Sequence, residues 1–449
     1  MPQEGLQEYL NKLDPLEIVR VTQKVPRDGF MSSFVLALEE KGRYPVVMME
    51  NVEGSGMPVI CNVFACRERV ANIAGATAGE FYLKWNNAQQ NMMQPLMVQD
   101  GPVREIIYTG DEVDVTSLPI SVHFASDAGR YISSGIAAAR DPDTGVYNLS
   151  YHRMQLRDRN HFGISLHSRG HLWDYFRRAS LKGQDLEIAV IVGCHPAVYL
   201  AASSKIGIMK DEYQLAGALL GEPLELVPCA TVELAVPSSA ELVLEGKILA
   251  NTFEDEGPFG EYTGYSTSRS TRNVMEVSAV MRRKECIFMD LVPGYSNEHL
   301  LLGGAAKEAE NLFLIKERFP FVEDIYLPKS GTHFHAYIKM KKTMEGQPRQ
   351  VMTTLTGLDM YLKLIVAVDE DVDIYDEQQV LWAMATRMQP FEDIMILNGL
   401  PCNALDPSSK DGMSSKMLID ATAPLRQRTP RCEESSEMRA LARRIMDEL

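Results

Sequence analysis

The run Gly135-Ile-Ala-Ala-Ala-Arg140, Asp141-Pro-Asp-Thr-Gly145, Val146-Tyr-Asn-Leu-Ser-Tyr-His-Arg153-Met-Gln-Leu156 decides the fold. Residues 135–140 and 147–156 are rich in apolar and β-favouring side chains, and residues 141–145 between them are turn formers, so the run reads as a hairpin. Working outward, residues 106–108, 163–167, 187–192, 275–281 and 287–291 also read as strands, with further turns at 158–160 and 282–285. Several antiparallel strands with helices inserted point to a split β-barrel at the centre of the chain.

The flanks have a different texture. Residues 1–105 read as an α+β unit, with helices at 5–13 and 78–90 and strands at 46–49 and 59–64. Beyond residue 303, helices at 305–318 and 377–386 alternate with strands at 325–327, 333–338, 364–368 and 394–397, which is the pattern of an α/β layer. A chain of 449 residues exceeds one ordinary core. The expected organisation is therefore multidomain, α/β and α+β, divided at 1–105, 106–303 and 304–449. A polar amphipathic helix at 435–448 closes the chain and suits docking on a partner subunit.

The chain has 61 acidic against 45 basic residues, a net charge of −16, which repels phosphate backbones and argues against nucleic-acid binding. Seven cysteines without a Cys-x-x-Cys pair do not make a disulfide framework and fit a reduced cytoplasm. No signal sequence and no membrane span are expected, since no run of eighteen apolar residues occurs.

Three clusters carry chemistry. Asn148 to Arg153 offers an amide oxygen for a hard cation and a fork of donors for a carboxylate or phosphate. Their five-residue offset places them on opposite faces of a regular strand, so one shared site requires a bulge or a ligand that wraps the edge. His167-Ser-Arg-Gly-His171 reads as a strand end followed by a helix start, with one imidazole turned inward. Glu256-Gly-Pro-Phe-Gly-Glu261 is a rigid turn with a carboxylate at each end. Two such acids raise one another's proton affinity, and an Arg between them would keep one ionised. Each cluster also has a plain reading, as a surface cation, a structural histidine and a solvated loop. His333 and His335 fall on one face of the strand at 333–338. Gly303-Gly304 lacks the spacing of a nucleotide loop.

In this order the clusters resemble the UbiD family of reversible decarboxylases that use prenylated FMN. The matching segments are 148–153, Gly170-His171, Lys210-Asp-Glu212, Glu256-Gly-Pro-Phe-Gly-Glu261-Tyr-Thr-Gly-Tyr265, Lys363 with the acidic run after it, Leu405-Asp-Pro407 and 415–422. The resemblance covers nearly the whole chain and feels closest to enzymes of furan and pyrrole carboxylates. It implies that the central barrel binds the flavin. Asn148, His171 and Glu212 would hold a divalent ion such as Mn2+, and residues 202–205, one residue shorter than the family pattern, a K+. Tyr151, His152, Arg153, Ser165, Leu166, His167, Gly170, His171 and Lys363 would line the cofactor. Arg153, Glu256 and Glu261 would form the catalytic network, with Glu261 as proton donor to a covalent substrate–flavin adduct. His299 and Lys307 would contact the substrate, an aromatic or heteroaromatic acid.

A flavin prenyltransferase would supply the cofactor, and a homodimer formed through the C-terminal domain is implied. Two other readings remain open on the residues alone. One is a metal-dependent hydrolase without flavin. The other is a non-catalytic flavin-binding scaffold.

Overall fold

The computed structural model describes residues 3–166, 170–426, 429–432 and 434–447. Its centre is a nine-stranded sheet. Eight strands run in the order Tyr131–Ile132, Met154–Leu156, His161–Ile164, Asn273–Arg282, Leu242–Phe253, Leu186–Val192, Ile136–Arg140, Tyr147–Tyr151, and Ile106–Thr109 pairs outside this path with Asn273–Arg282. Every neighbouring pair in it is antiparallel. The strand expected over 147–156 is interrupted. Tyr147–Tyr151 lies at one end of the path and Met154–Leu156 near the other, with only His152 and Arg153 between them. Two residues cannot span an open sheet, so the sheet curls until its ends meet at this seam, as the expected split barrel requires.

Both faces of the curled sheet are covered, and the sequence reflects it. Ala137 and Ala139 face one core and Ile136 and Ala138 the other; Ile188, Val190 and Val192 oppose Ala189 and Ile191 in the same way. Strands buried on both sides read as continuous apolar runs, and each fully buried Val or Ile contributes about 1.5–3 kcal/mol. One core also holds helices Arg67–Ile73, Phe81–Gln90, Pro196–Ala202 and Glu212–Leu220, and the other holds His171–Leu181.

The flanking units have sheets of their own. Ile18–Val25, Val46–Val52 and Val59–Cys61 form a four-stranded sheet with Phe288–Met289, which lies far along the chain. Toward the C-terminus, a five-stranded sheet runs Val322–Tyr326, His335–Met340, Leu364–Asp369, Met413–Asp420, Ile394–Pro401. The 22-residue helix Asn297–Arg318 links it to the rest. At its first turn the buried Glu298 accepts N–H groups of Asn62 (2.8 Å), Phe64 (3.3 Å) and Val292 (3.4 Å), tying this helix to the N-terminal unit. Among the described residues no helix is long and apolar enough to cross a membrane, and all seven cysteines are free.

The histidine pair departs from expectation. The strand begins only at His335, and His333 stands outside it with φ +65°. The two imidazoles therefore do not share a strand face: His333 packs on Gly303, Gly304 and the ring of Tyr262.

The register between Leu242–Phe253 and Asn273–Arg282 shifts between Glu245 and Gly246, and a Cβ on Gly246 would lie 1.9 Å from the backbone oxygen of Glu276. Gly246→Ala is expected to cost about 1–3 kcal/mol or more of unfolding free energy by forcing these central strands apart. A denaturant midpoint equal to that of the wild type would contradict this account of the sheet.

Candidate active site

The seam of the sheet places Arg153. His152 Nδ1 lies 3.0 Å from the carbonyl oxygen of Ser165, and Ser165 N–H donates to the Arg153 carbonyl at 3.4 Å, so the two residues between the strands are stitched to the end of His161–Ile164. The Arg153 side chain turns onto the acid loop that follows Leu242–Phe253. Its Nε and Nη2 donate to the two oxygens of Glu256 at 3.0 and 2.9 Å, a bidentate fork. Nη1 donates to Glu261 Oε1 at 2.6 Å, and Nη2 also reaches the carbonyl of Arg269 at 2.8 Å. The side chains of Arg153, Glu256 and Glu261 are 8%, 0% and 15% exposed, so water screens these contacts little. The loop is stiffened by a two-residue hairpin, Phe259–Gly260 against Ser266–Thr267.

The charges do not balance: one guanidinium faces two carboxylates. Burial raises the proton affinity of Glu261, Arg153 opposes this, and the like charge of Glu256 adds to it. Glu256 takes the fork and Glu261 a single bond. The arrangement suits Glu261 to hold and release a proton.

Beside this triad is a cavity of about 400 Å³. Of the residues expected from the sequence, Tyr151, His152, Arg153, Ser165, Leu166, Glu261 and His299 line it. Asn403 and Leu405 close it from the C-terminal unit, so it lies between barrel and C-terminal sheet. Tyr151 is held by its hydroxyl, which donates to the Tyr199 carbonyl at 2.6 Å, and Leu166 N–H donates to Thr271 Oγ1 at 2.6 Å. His299, on the first turn of Asn297–Arg318, has Nδ1 3.2 Å from the Gly294 carbonyl, and burial pushes its pKa down to about 4, so it is neutral.

Asn148 and Glu212 meet on the same strand as Tyr151. Glu212 opens the helix Glu212–Leu220, capped by Asp211, and accepts from Asn148 Nδ2 at 3.2 Å and from Leu149 N–H at 2.9 Å. Asn148 Oδ1 accepts from Ser150 Oγ at 3.1 Å. Burial raises the pKa of Glu212 to about 8, against the hydrogen bonds, those from Leu149 and Asn148 among them, that lower it. It is a carboxylate removed from water with polar partners and no salt bridge among the described residues, which is costly unless a proton or a cation neutralises it. His171 begins the neighbouring helix His171–Leu181, which packs on the same strand, and burial lowers its proton affinity with help from Lys205. A neutral imidazole is the form that ligates metals. No group of three or more His, Cys, Asp or Glu fit to hold a metal occurs among the described residues.

Other expected residues stand further off. Gly170 caps the helix of His171, and His167 lies outside the described residues. Lys363 pairs with Asp406 at 2.9 Å and Ser408 Oγ at 2.7 Å, behind the loop that carries Asn403 and Leu405. Lys307 does not line the cavity with His299. It is buried, 3.1 Å from Asp359 and 3.7 Å from the centre of the Tyr361 ring. Eight residues along a helix set the two side chains about 12 Å apart along its axis, and Asp359 with Tyr361 draws the ammonium to the C-terminal unit. Lys205 lies near enough to His171, Lys307 and Glu310 to perturb their charge. The sequence reading passed over Ser133, Arg269 and Asn403. They are small or polar residues in irregular segments, and no local pattern marks them.

Comparison with known proteins gives a consistent picture. Family models for the N-terminal, Rift-related and C-terminal domains of 3-octaprenyl-4-hydroxybenzoate carboxy-lyase (UbiD) match residues 15–88, 96–296 and 300–421. The chain is 34% identical over 407 residues to the anhydromevalonate phosphate decarboxylase of Methanothermobacter thermautotrophicus, covering 89% of this chain and 94% of that one. Its fold is similar to the UbiD-class enzyme HmfF from Pelotomaculum thermopropionicum in complex with FMN, with TM-score 0.92, 38% identity and 96% and 97% of the two chains covered. An evolved dimeric form of HmfF in complex with prFMN gives TM-score 0.88, 36% identity and the same coverage. The 3,4-dihydroxybenzoic acid decarboxylase AroY of Klebsiella pneumoniae gives TM-score 0.86 at 26% identity, with 95% and 96% covered.

The raised pKa of Glu212 has a measurable sign. In the unfolded chain this acid ionises near its ordinary value of 4.5, while burial in the fold moves that to about 8. The wild-type apo-protein therefore loses stability as pH rises across that window, and Glu212→Gln, which has no charge to bury, does not lose this contribution. The unfolding midpoint of Glu212→Gln relative to wild type should rise steadily from pH 5 to pH 8 and then level off. A constant offset across the window would contradict the assignment.

Proposed function

Because the chain belongs to the UbiD family of carboxy-lyases, we propose that it is a non-oxidative, reversible decarboxylase of an aromatic or heteroaromatic conjugated acid, dependent on prenylated FMN. The observation that carries this is the buried Arg153–Glu256–Glu261 triad opening onto a cavity of about 400 Å³. FMN and prFMN occupy the HmfF structures similar to this chain. Prenylated FMN, when bound, would supply the sink for the electrons released as carbon dioxide leaves.

The chain's own residues fit that group. Tyr151, His152, Ser165 and Leu166 would enclose its ring system. Asn148, Glu212 and His171 would hold a divalent ion such as Mn2+ against its phosphate, since two oxygen donors and an imidazole suit that metal and the cation would take the place of the proton on the buried Glu212. Residues 202–205 would hold K+, and Lys363 would add a cation once its loop approaches. Arg153 orients the substrate's carboxylate and holds Glu256 in its fork. The C–C bond breaks, carbon dioxide leaves, and Glu261 gives its proton to the carbon that held it, then regains one from solvent. The reverse sequence is carboxylation.

The substrate would sit between Glu261 and His299, with Lys307 reaching it only if it leaves Asp359. A partner flavin prenyltransferase would supply the cofactor. A homodimer would use the C-terminal region, where the helix Ser436–Asp447 exposes Met438, Leu441 and Ile445 along one side.

The test is direct. Protein made alongside a flavin prenyltransferase is assayed on furan, pyrrole and larger aromatic acids and on anhydromevalonate phosphate, the substrate named for the archaeal relative. At least one acid should be decarboxylated. Glu261→Gln should keep cofactor and metal and lose turnover by about 10²–10⁴-fold, whereas His171→Ala should lose cofactor. Near-wild-type turnover of Glu261→Gln, or a colourless wild-type protein active with metal alone, would reject the proposal. Relative rates across the panel that do not change in His299→Ala and Lys307→Ala would reject the substrate contacts.

A further inference from the structure

A segment with no part in the chemistry crosses the back of the acid loop. Asp127 holds two backbone N–H groups with one carboxylate: Gly260 N–H donates to Oδ1 at 2.9 Å and Phe124 N–H to Oδ2 at 2.8 Å. The neighbouring Ala128 N–H donates to the Pro258 carbonyl at 2.8 Å. The Phe124 ring is wedged between two loops. A Cβ on Gly260 would lie 2.7 Å from Phe124 Cδ2, and one on Gly294 2.9 Å from its Cε2. Gly294 also has φ +75°, a conformation in which a side chain is strained, so glycine is required there twice over.

The same segment reaches the cavity wall by a second route. His123 Nε2 lies 3.2 Å from both oxygens of the buried Asp290. Asp290 Oδ1 accepts from Ser133 Oγ, which lines the cavity, at 2.6 Å. The edge of the His123 ring meets Phe259, centroids 6.5 Å apart, and Arg153 stands over the same Phe259 ring at 5.3 Å.

We propose that Asp127 is a positioning residue for Glu261. Its carboxylate locks the peptide next to Glu261 onto Phe124, and Phe124 in turn sets the distance between the acid loop and residues 290–294 of the cavity wall. Charge-assisted bonds to N–H groups are stiffer than neutral ones, so a single carboxylate fixes both ends of this brace. Glu261 makes one bond to Arg153, where Glu256 makes two. Its place therefore depends on the backbone that carries it. A misplacement of about 1 Å in a reacting group costs on the order of 10²-fold in rate. The inference rests on Glu261 being the proton donor of the proposed reaction.

The test compares Asp127→Ala and Asp127→Asn in the cofactor-loaded enzyme, using the acid from the panel that the wild type turns over best. Asp127→Ala should lower kcat by about 10–100-fold with KM changed by no more than about twofold, the pattern of a lost transition-state interaction. FMN affinity of the apo-protein, followed by flavin fluorescence, should stay as in the wild type. Asp127→Asn keeps an oxygen for Gly260 N–H but loses the acceptor for Phe124 N–H, and should recover part of the lost kcat. In the crystal structure of Asp127→Ala, Glu261 should leave the position that gives its 2.6 Å contact with Arg153.

Wild-type kcat in Asp127→Ala overturns the inference, and so does a fall in kcat that Asp127→Asn does not relieve. If the wild type decarboxylates no acid of the panel, the functional reading fails and the crystal structure alone decides: an undisplaced Glu261 in Asp127→Ala then overturns the inference.

Discussion

Two residues, His152 and Arg153, are all that separates Tyr147–Tyr151, at one end of the central sheet path, from Met154–Leu156, next to its other end. That closure is the constraint on which the site depends. It brings a guanidinium, whose donors point in fixed directions, to a place with no freedom to move away. The acid loop then has one orientation in which Glu256 takes the fork. Glu261, left with a single bond and buried, is the carboxyl whose proton affinity burial raises. A lysine at 153 would carry the same charge without the fork, and the division of roles between the two acids would be lost.

The parts of the fold that were legible are those where local chemistry and burial agree. The hairpin over 136–151 could be read because both strands are apolar and the turn is rich in Asp, Pro and Gly. Leu242–Phe253, the longest strand, was missed because Glu245, Gly246 and Lys247 interrupt its apolar run. Glu245 nevertheless lies fully buried, accepting the N–H groups of Ala230 and Thr231 at 2.8 and 2.7 Å. A buried acid satisfied by backbone donors looks, in sequence, like a surface acid. Ile18–Val25 escaped notice for another reason: it is an edge strand carrying Arg20, Gln23 and Lys24.

The site was legible in its composition more than in its geometry. A Gly–Pro loop with an acid at each end announces paired carboxylates, but nothing local says which cation meets them across 103 and 108 residues. The five-residue offset between Asn148 and Arg153 told against a shared site. The strand ends at Tyr151, so the alternation that separated them does not extend to Arg153. His333 and His335 were paired by strand periodicity, and the positive φ of His333 undoes that pairing. Asp127, Ser133 and Asp290 act through tertiary contacts alone, and no spacing rule finds them.

The central claim is that the cavity beside Arg153 and Glu261 holds a prenylated flavin with its phosphate toward Asn148 and Glu212. The most direct measurement is the crystal structure of the protein produced together with a flavin prenyltransferase. The account predicts a ring system in contact with Tyr151, Leu166 and Arg153, and a metal ion touching Glu212. A flavin bound elsewhere, or a cavity filled by side chains with Arg153 turned away from Glu261, would contradict it.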